Sequence, residues 1–97
     1  MKNNFKLDNG TLFLKGTITV NTAGDLLAEI KKIFINHADL DKIDCSHIEV
    51  VDSAVISLLL SCMREAKKIN RDINIIGMGN KISELATLYE VENIIHG

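Results

Sequence analysis

Residues 43–56 read IDCSHIEVVDSAVI, and within this stretch an apolar run of strand-like composition gives way to apolar residues at helical spacing. Asp52 and Ser53 stand at the change, and both residue types are favoured at helix N-caps. A helix start also presents free backbone N–H groups and a partial positive charge, which favour a bound phosphate or carboxylate. The stretch therefore predicts a strand, a turn and a long helix, with the Ser53 hydroxyl serving either as an ordinary cap or as a phosphorylation switch.

Two strands are predicted before this stretch, at residues 5–8 and 11–20. The Asn9-Gly10 pair between them favours the positive φ angles of a tight hairpin turn. Alternation along the second strand places one set of apolar side chains on a single face, which we expect to be buried. The set is Leu12, Leu14, Ile18 and Val20.

The remaining elements are predicted from the spacing of apolar residues and from helix start signals. Thr22, with Asp25 three residues later, resembles a capping box and opens the first helix. The predicted elements are a helix from Thr22 to about His37, a strand at 40–45, a turn at 46–51, a helix at 53–69, a strand at 72–77 and a helix from Gly79-Asn80 to Tyr89, with Ile94 and Ile95 available for a short edge strand.

This order of elements predicts an α/β fold, with a mixed four- to five-stranded sheet and helices packed against it by right-handed crossovers. The chain has 97 residues, of which 46% are hydrophobic, enough for one compact core but too few for two. No linker or repeat divides it, so residues 1–97 are expected to form a single domain.

Composition argues against several classes of protein. The net charge is −2 and the eleven basic residues are scattered, whereas a nucleic-acid-binding protein needs a basic stripe. The first residues lack the apolar core of a signal peptide, so the protein is expected to be cytoplasmic. Cys45 and Cys62 lie in apolar settings and are interpreted as small buried hydrophobic residues rather than redox groups.

Patterns that would indicate catalysis or cofactor binding are weak. Gly77-Met78-Gly79-Asn80 lacks the further glycine, or the Gly-Lys-Ser/Thr pattern, of a nucleotide-binding loop. The three histidines are dispersed and give no metal-site spacing. Ser53 has no marked general base, since His47 lies six residues upstream without a supporting pattern. We therefore expect no enzyme, no cofactor and no metal.

The helix predicted at residues 53–69 has a lightly polar stripe near its start. Small hydroxyl groups stand there, where a solvated helix more often carries Lys and Glu, and such a surface is easily desolvated by a partner. Serines that are merely tolerated on a solvated face would give the same pattern. The candidate partner-binding residues are Asp52, Ser53, Ala54, Ser57, Leu58 and Ser61, and Leu88 on the last helix is also expected to be exposed.

The chain resembles the STAS domain family, the fold of bacterial anti-sigma-factor antagonists and related regulatory modules. The resemblance covers nearly the whole chain and is carried by Ile43-Asp44-Cys45-Ser46, by Val51-Asp52-Ser53 and by the strand from Ile73 to Gly77. Three further segments are most similar to MlaB-like members, the small cytoplasmic subunits of MCE-type phospholipid ABC transporters. They are Leu58-Leu59-Leu60, Ala66-Lys67-Lys68 and Leu85-Ala86-Thr87-Leu88-Tyr89.

The resemblance implies a non-catalytic subunit that binds and regulates the ATPase of a phospholipid-transporting ABC complex, in the service of outer-membrane lipid asymmetry. Ser53 then matches an interface residue against the ATPase, and Asp52 matches the acidic residue before it. In anti-sigma-factor antagonists the residue matching Ser53 is phosphorylated, so the alternative is an antagonist that captures an anti-sigma kinase and is switched by phosphorylation of Ser53. Val55 departs from the family's usual Gly, and its branched side chain is expected to crowd the helix start.

These hypotheses imply different partners. The transporter subunit would be held at the inner membrane through its partner complex, without inserting into the membrane. A second copy of the chain, bound through the same exposed face, is a further candidate partner for the isolated domain. A third hypothesis is a stand-alone interaction domain in which Ser53 only caps a helix.

Overall fold

The structure is a computed structural model that describes residues 4–91. The order of elements predicted from the sequence is confirmed over these residues, whereas the edge strand proposed at Ile94 and Ile95 lies outside them. The elements are β1 (Phe5–Asp8), β2 (Thr11–Thr17), α1 (Val20–Asn36), β3 (Lys42–Val50), α2 (Ser53–Lys68), β4 (Asn74–Ile76) and α3 (Gly79–Leu88).

The strands of the described part form a four-stranded mixed sheet in the order β1-β2-β3-β4. β1 and β2 form an antiparallel hairpin, in which Asn9 and Gly10 both have positive φ, as predicted. β3 pairs in parallel with β2 on one side and with β4 on the other. Because each helix follows one of the three parallel strands, the N-termini of all three helices lie at the edge where those strands end.

The predicted boundary between the second strand and the first helix is wrong. The Thr19 N–H donates to Thr22 Oγ1 at 3.0 Å, so Thr19 is the N-cap and Thr22 is the third helical residue. β2 ends at Thr17, and Val20 begins α1 instead of closing the buried face of the strand. The other three members of that predicted face, Leu12, Leu14 and Ile18, are fully buried.

β3 is longer than predicted, because residues 46–50 continue the strand instead of forming a turn. Phe13 pairs with Asp44 and Lys15 pairs with His47, so β3 carries one residue more than β2 between the two pairs. This extra residue shifts the alternation of inward and outward side chains, so the regular apolar pattern ends at Cys45. A second extra residue lies between the Gly16–Ile48 and Thr17–Val50 pairs.

The core lies between one face of the sheet and the helices, and no polar or charged residue of the described part is buried. α2 is the central helix, since it packs against both α1 and α3. Cys45 and Cys62 are buried and free, as predicted, and Leu88 is exposed. The largest fully buried side chains are those of Phe34, Leu12, Leu14, Ile18, Ile30, Leu40, Ile43, Leu59 and Ile82.

Candidate functional site

Asp52, and not Ser53, caps α2. Asp52 has extended backbone angles, and its carboxylate Oδ1 accepts a hydrogen bond from the Ala54 N–H at 2.8 Å. The Asp52 carbonyl oxygen accepts from the Val55 N–H at 3.1 Å. Ser53 is therefore the first helical residue, and the hypothesis that its hydroxyl only caps the helix does not fit this geometry.

The six candidate residues do not all lie on the surface. Asp52, Ser53 and Ser57 are exposed and Ser61 is half-buried. Leu58 is 2% exposed and belongs to the hydrophobic core, while Ala54 is 9% exposed. The expectation that the Leu58 and Ala54 side chains are presented on the surface is therefore wrong, because both turn inward.

Val55 does not crowd the start of α2. Its side chain is fully buried among the core residues of the sheet and helices. Because residues three and four apart lie on the same face of a helix, Val55 shares the inward face with Leu59 and Cys62, whereas Ser53 and Ser57 share the outward face. The expected steric conflict at the helix surface is therefore absent, and the surface keeps its small side chains.

Two exposed valines lie at the same edge of the molecule as Ser53. Val50 pairs with Thr17 at the ends of the two strands, and Val20 follows Thr17 by three residues at the start of α1. Their exposed fractions are 50% for Val50 and 81% for Val20. The sequence interpretation missed both, although the Thr19–Thr22 spacing carried a helix-start signal. We define the α2-start surface as Val20, Val50, Asp52, Ser53, Ser57 and Ser61.

The charge around Ser53 is negative. Asp52 precedes Ser53 directly and Glu49 lies four residues upstream, both are exposed, and no Lys or Arg occurs between Lys42 and Arg64. A phosphate on Ser53 gains from the positive end of the helix dipole but is next to the Asp52 carboxylate, without a neighbouring cation along the chain. The site is therefore better suited to a neutral partner surface, or to a phosphate that releases a partner, than to stable anion binding.

The Asp44, Ser46 and His47 side chains are joined by hydrogen bonds. Asp44 Oδ1 accepts from the Ser46 N–H at 2.7 Å and from the Ser46 hydroxyl at 2.6 Å. Ser46 Oγ also lies 3.2 Å from His47 Nδ1. The hydroxyl, rather than the imidazole, is the central group, whereas nucleophilic catalysis by serine needs the imidazole between hydroxyl and carboxylate. The chain of bonds holds the irregular part of β3 in place.

The two thiols are poorly suited to nucleophilic chemistry. Burial raises the pKa of the Cys45 and Cys62 thiols to about 12, so both stay protonated near neutral pH. Within residues 4–91, no three His, Cys, Asp or Glu side chains are grouped so that they could hold a metal ion. None of the helices in that same part is long and apolar enough to span a bilayer.

A groove of about 1000 Å³ lies between the first half of α1 and the ends of the neighbouring strands. Its charged lining mixes Lys15 and His47 with Asp25, Glu29 and Glu49. None of the six residues of the α2-start surface lines it. The groove nevertheless adjoins the α2-start surface, because Thr17 and Glu49 line the groove and are the strand partner and the chain neighbour of Val50.

Comparison with known proteins identifies the family. The sequence model of the family described as "Mlab, STAS domain" matches residues 1–96, nearly the whole chain. No curated protein matches the sequence significantly. The mixed sheet, the helices packed on it and Ser53 at the start of the central helix agree with the fold expected from the resemblance. The chain therefore belongs to the STAS domain family and is most like its MlaB-type members.

Proposed function

We propose that this chain is a non-catalytic STAS subunit that binds and regulates the ATPase of a phospholipid-transporting ABC complex. Membership of the family supports the non-catalytic regulatory role. The ATPase partner and the transported phospholipid follow from the likeness to MlaB-type members. On this proposal the protein is cytoplasmic and is held at the inner membrane by its complex.

The exposed valines at the same edge of the molecule as Ser53 carry the proposal. Partner-binding surfaces have an apolar centre, and Val20 and Val50 supply it, whereas the serines let a partner backbone approach closely. Burying one such valine stabilises a complex by about 1.5 kcal/mol. The buried part of α2, including Leu58 and Val55, fixes the orientation of this surface without touching the partner.

The first experiment is a pull-down of the tagged full chain from its native host, with mass spectrometry of the partners and of the Ser53 peptide. We expect an ABC ATPase and its permease together with unmodified Ser53. Recovery of neither transporter subunit would contradict the proposal.

Variants then test the surface. Ser57→Arg adds a long charged side chain at its centre, and Val20→Asp removes an apolar contact, so both should abolish recovery of the ATPase. Thr87→Arg, on the exposed part of α3, is the matched control and should leave recovery unchanged. If the first two variants retain the ATPase as well as the control does, the partner binds elsewhere.

The alternative is an anti-sigma-factor antagonist that is switched by phosphorylation of Ser53. It is favoured by one observation, the exposed position of Ser53 in the first turn, where Asp52 already serves as the cap. A phosphate adds about 1.5 to 2 negative charges next to Asp52, enough to repel a packed partner. Incubation with the anti-sigma kinase and ATP should then give a phosphate mass shift that Ser53→Ala abolishes.

A further inference from the structure

The C-terminal halves of α1 and α2 carry a concentration of basic residues that the proposed function does not use. Lys31 and Lys32 lie on α1, and Arg64, Lys67 and Lys68 lie on α2. All five are exposed. We call this set, together with Ile35 in the last turn of α1, the basic face.

The members of the basic face lie on neighbouring helices that run in the same direction. The Lys31 ammonium on α1 lies 3.9 Å from a Glu65 carboxylate oxygen on α2. Beyond the end of α2, the Arg71 guanidinium donates to the carbonyl oxygens of Phe34 at 2.6 Å and His37 at 2.9 Å, at the end of α1. The two helix ends are therefore held side by side.

The positive charge of this face is only partly neutralised within the two helices. Glu65 is shared by Lys31 and Lys68, and Glu29 lies 3.9 Å from Lys32. Five cations against these two carboxylates leave an excess of three positive charges, in a chain whose net charge is −2. The segments beyond the helix ends add Asp39, Asp41 and Asp72, of which Asp41 pairs with Lys42 at 3.2 Å, and they also hold Arg71. Charge is therefore distributed unevenly over the molecule.

Apolar side chains stand among these lysines. Ile35 is 74% exposed, and Ile69, at the C-cap of α2, is 43% exposed. Protein interfaces are depleted in Lys and enriched in Arg and aromatic residues, whereas four of these five cations are lysines. Lysine acts as a flexible point charge, and lysines around exposed aliphatic residues are typical of surfaces that contact anionic lipid headgroups.

We propose that the basic face binds the surface of an anionic lipid bilayer, with the lysines at the phosphate level and Ile35 at the boundary of the acyl region. The contact is interfacial and inserts no element of the fold. The basic face adjoins the α2-start surface on α2, where Ser61 lies three residues, about 4.5 Å of helix rise, before Arg64. Ser53 and Lys68, at the two ends of α2, are about 22 Å apart along the helix. A partner bound at the Ser53 end therefore leaves Lys67 and Lys68 free to contact lipid.

The test is flotation of the purified full chain with vesicles of phosphatidylglycerol mixed with phosphatidylcholine, and with vesicles of phosphatidylcholine alone. We expect binding to the anionic vesicles only, and its loss at high salt, because the attraction is screened within a Debye length. The triple variant Lys32→Gln, Arg64→Gln, Lys67→Gln should lower the partition coefficient about 100-fold. Ile35→Ser should also lower the partition coefficient, but the dependence of that coefficient on salt concentration should change little.

A matched triple variant, Lys6→Gln, Lys15→Gln, Lys81→Gln, removes the same charge from exposed positions elsewhere. It should reduce binding by no more than a few-fold. Circular dichroism of each variant checks that the fold is kept. Absence of wild-type binding to anionic vesicles at low salt, or an equal loss in the two triple variants, would overturn the proposal. The pull-down measures recovery of the ATPase and the flotation measures binding to lipid, so either proposal can fail alone.

Discussion

The guanidinium of Arg71 donates a hydrogen bond to the carbonyl oxygen of Phe34 at 2.6 Å, across 37 positions of sequence. The same side chain donates to the carbonyl oxygens of His37 and Leu40, at 2.9 and 2.8 Å. These carbonyls lie in the last turn of α1 and just beyond it, where backbone oxygens lack helical partners and the helix dipole is negative. Arg71 therefore ties the end of α1 to the loop that leads into β4.

Replacing Arg71 should destabilise the fold. Arg71→Met removes three charge-assisted hydrogen bonds, and we expect the free energy of unfolding to fall by about 3 kcal/mol. Arg71→Lys should recover only part of this, because an ammonium lacks the planar fork that reaches several carbonyls. Urea denaturation followed by circular dichroism measures both variants. Arg64→Met, at an exposed position, is the control, and an equal effect there would contradict the assigned role.

Gly77 and Gly79 give a matched pair for testing a close contact. Both have positive φ, but a Cβ at Gly77 would lie 2.7 Å from Asp44 Oδ1 and 3.0 Å from the Ser46 nitrogen. A Cβ at Gly79 would meet nothing within 4 Å. Gly79→Ala should therefore cost only the backbone strain, about 1 kcal/mol, and Gly77→Ala should cost about 1 to 3 kcal/mol more. Equal losses in thermal unfolding would show that contact with β3 is unimportant.

The two residues at the start of α2 should behave differently when replaced by alanine. Asp52→Ala removes the cap on the Ala54 N–H, and we expect a loss of about 1 kcal/mol in stability. Ser53→Ala should change stability by less than about 0.5 kcal/mol, because Ser53 is exposed and is not the cap. Chemical denaturation of the two variants measures these losses. A larger loss for Ser53→Ala than for Asp52→Ala would show that Ser53 is the cap.

The buried thiols should make the protein less stable at high pH. Burial raises the pKa of Cys45 and Cys62 from 9.0 to about 12, with the Asp44 charge adding to the shift at Cys45. The folded state therefore favours the protonated thiols, so their contribution to stability is complete below pH 9 and is lost as the pH rises towards 12. Unfolding free energies measured across this range, compared with a Cys45→Ala variant, test the prediction. A thiol reagent near neutral pH should react only after denaturant is added.

Most of the fold could be predicted from the sequence because its signals are local. The Asn9-Gly10 turn and the apolar spacing from Val55 to Ala66 specify a hairpin and the central helix directly. The start of α1 was predicted wrongly, because two threonines compete as its N-cap. Thr19 and Thr22 both resemble caps, and only the hydrogen bond between them shows which one begins the helix.

The sequence predicted where the candidate site lies, but not all of the side chains that form its surface. Asp52, Ser53 and Ser57 lie on the surface as expected, whereas Leu58 and Ala54 face inward and Val20 faces outward. A sequence pattern gives the period of a helix, but the width of its buried stripe depends on which neighbouring helices pack on its flanks. α1 and α3 both pack against α2.

The sequence by itself determined the family, the order of elements and the location of Ser53 at the start of the central helix, because these depend on residue types and spacing along the chain. Only the tertiary structure decided which residues surround Ser53. Parallel pairing of β2 with β3, with two additional residues in β3, brings Val50 beside Thr17 and Val20 to the same edge. Contacts between distant segments depend on strand register and helix packing, which local spacing does not specify.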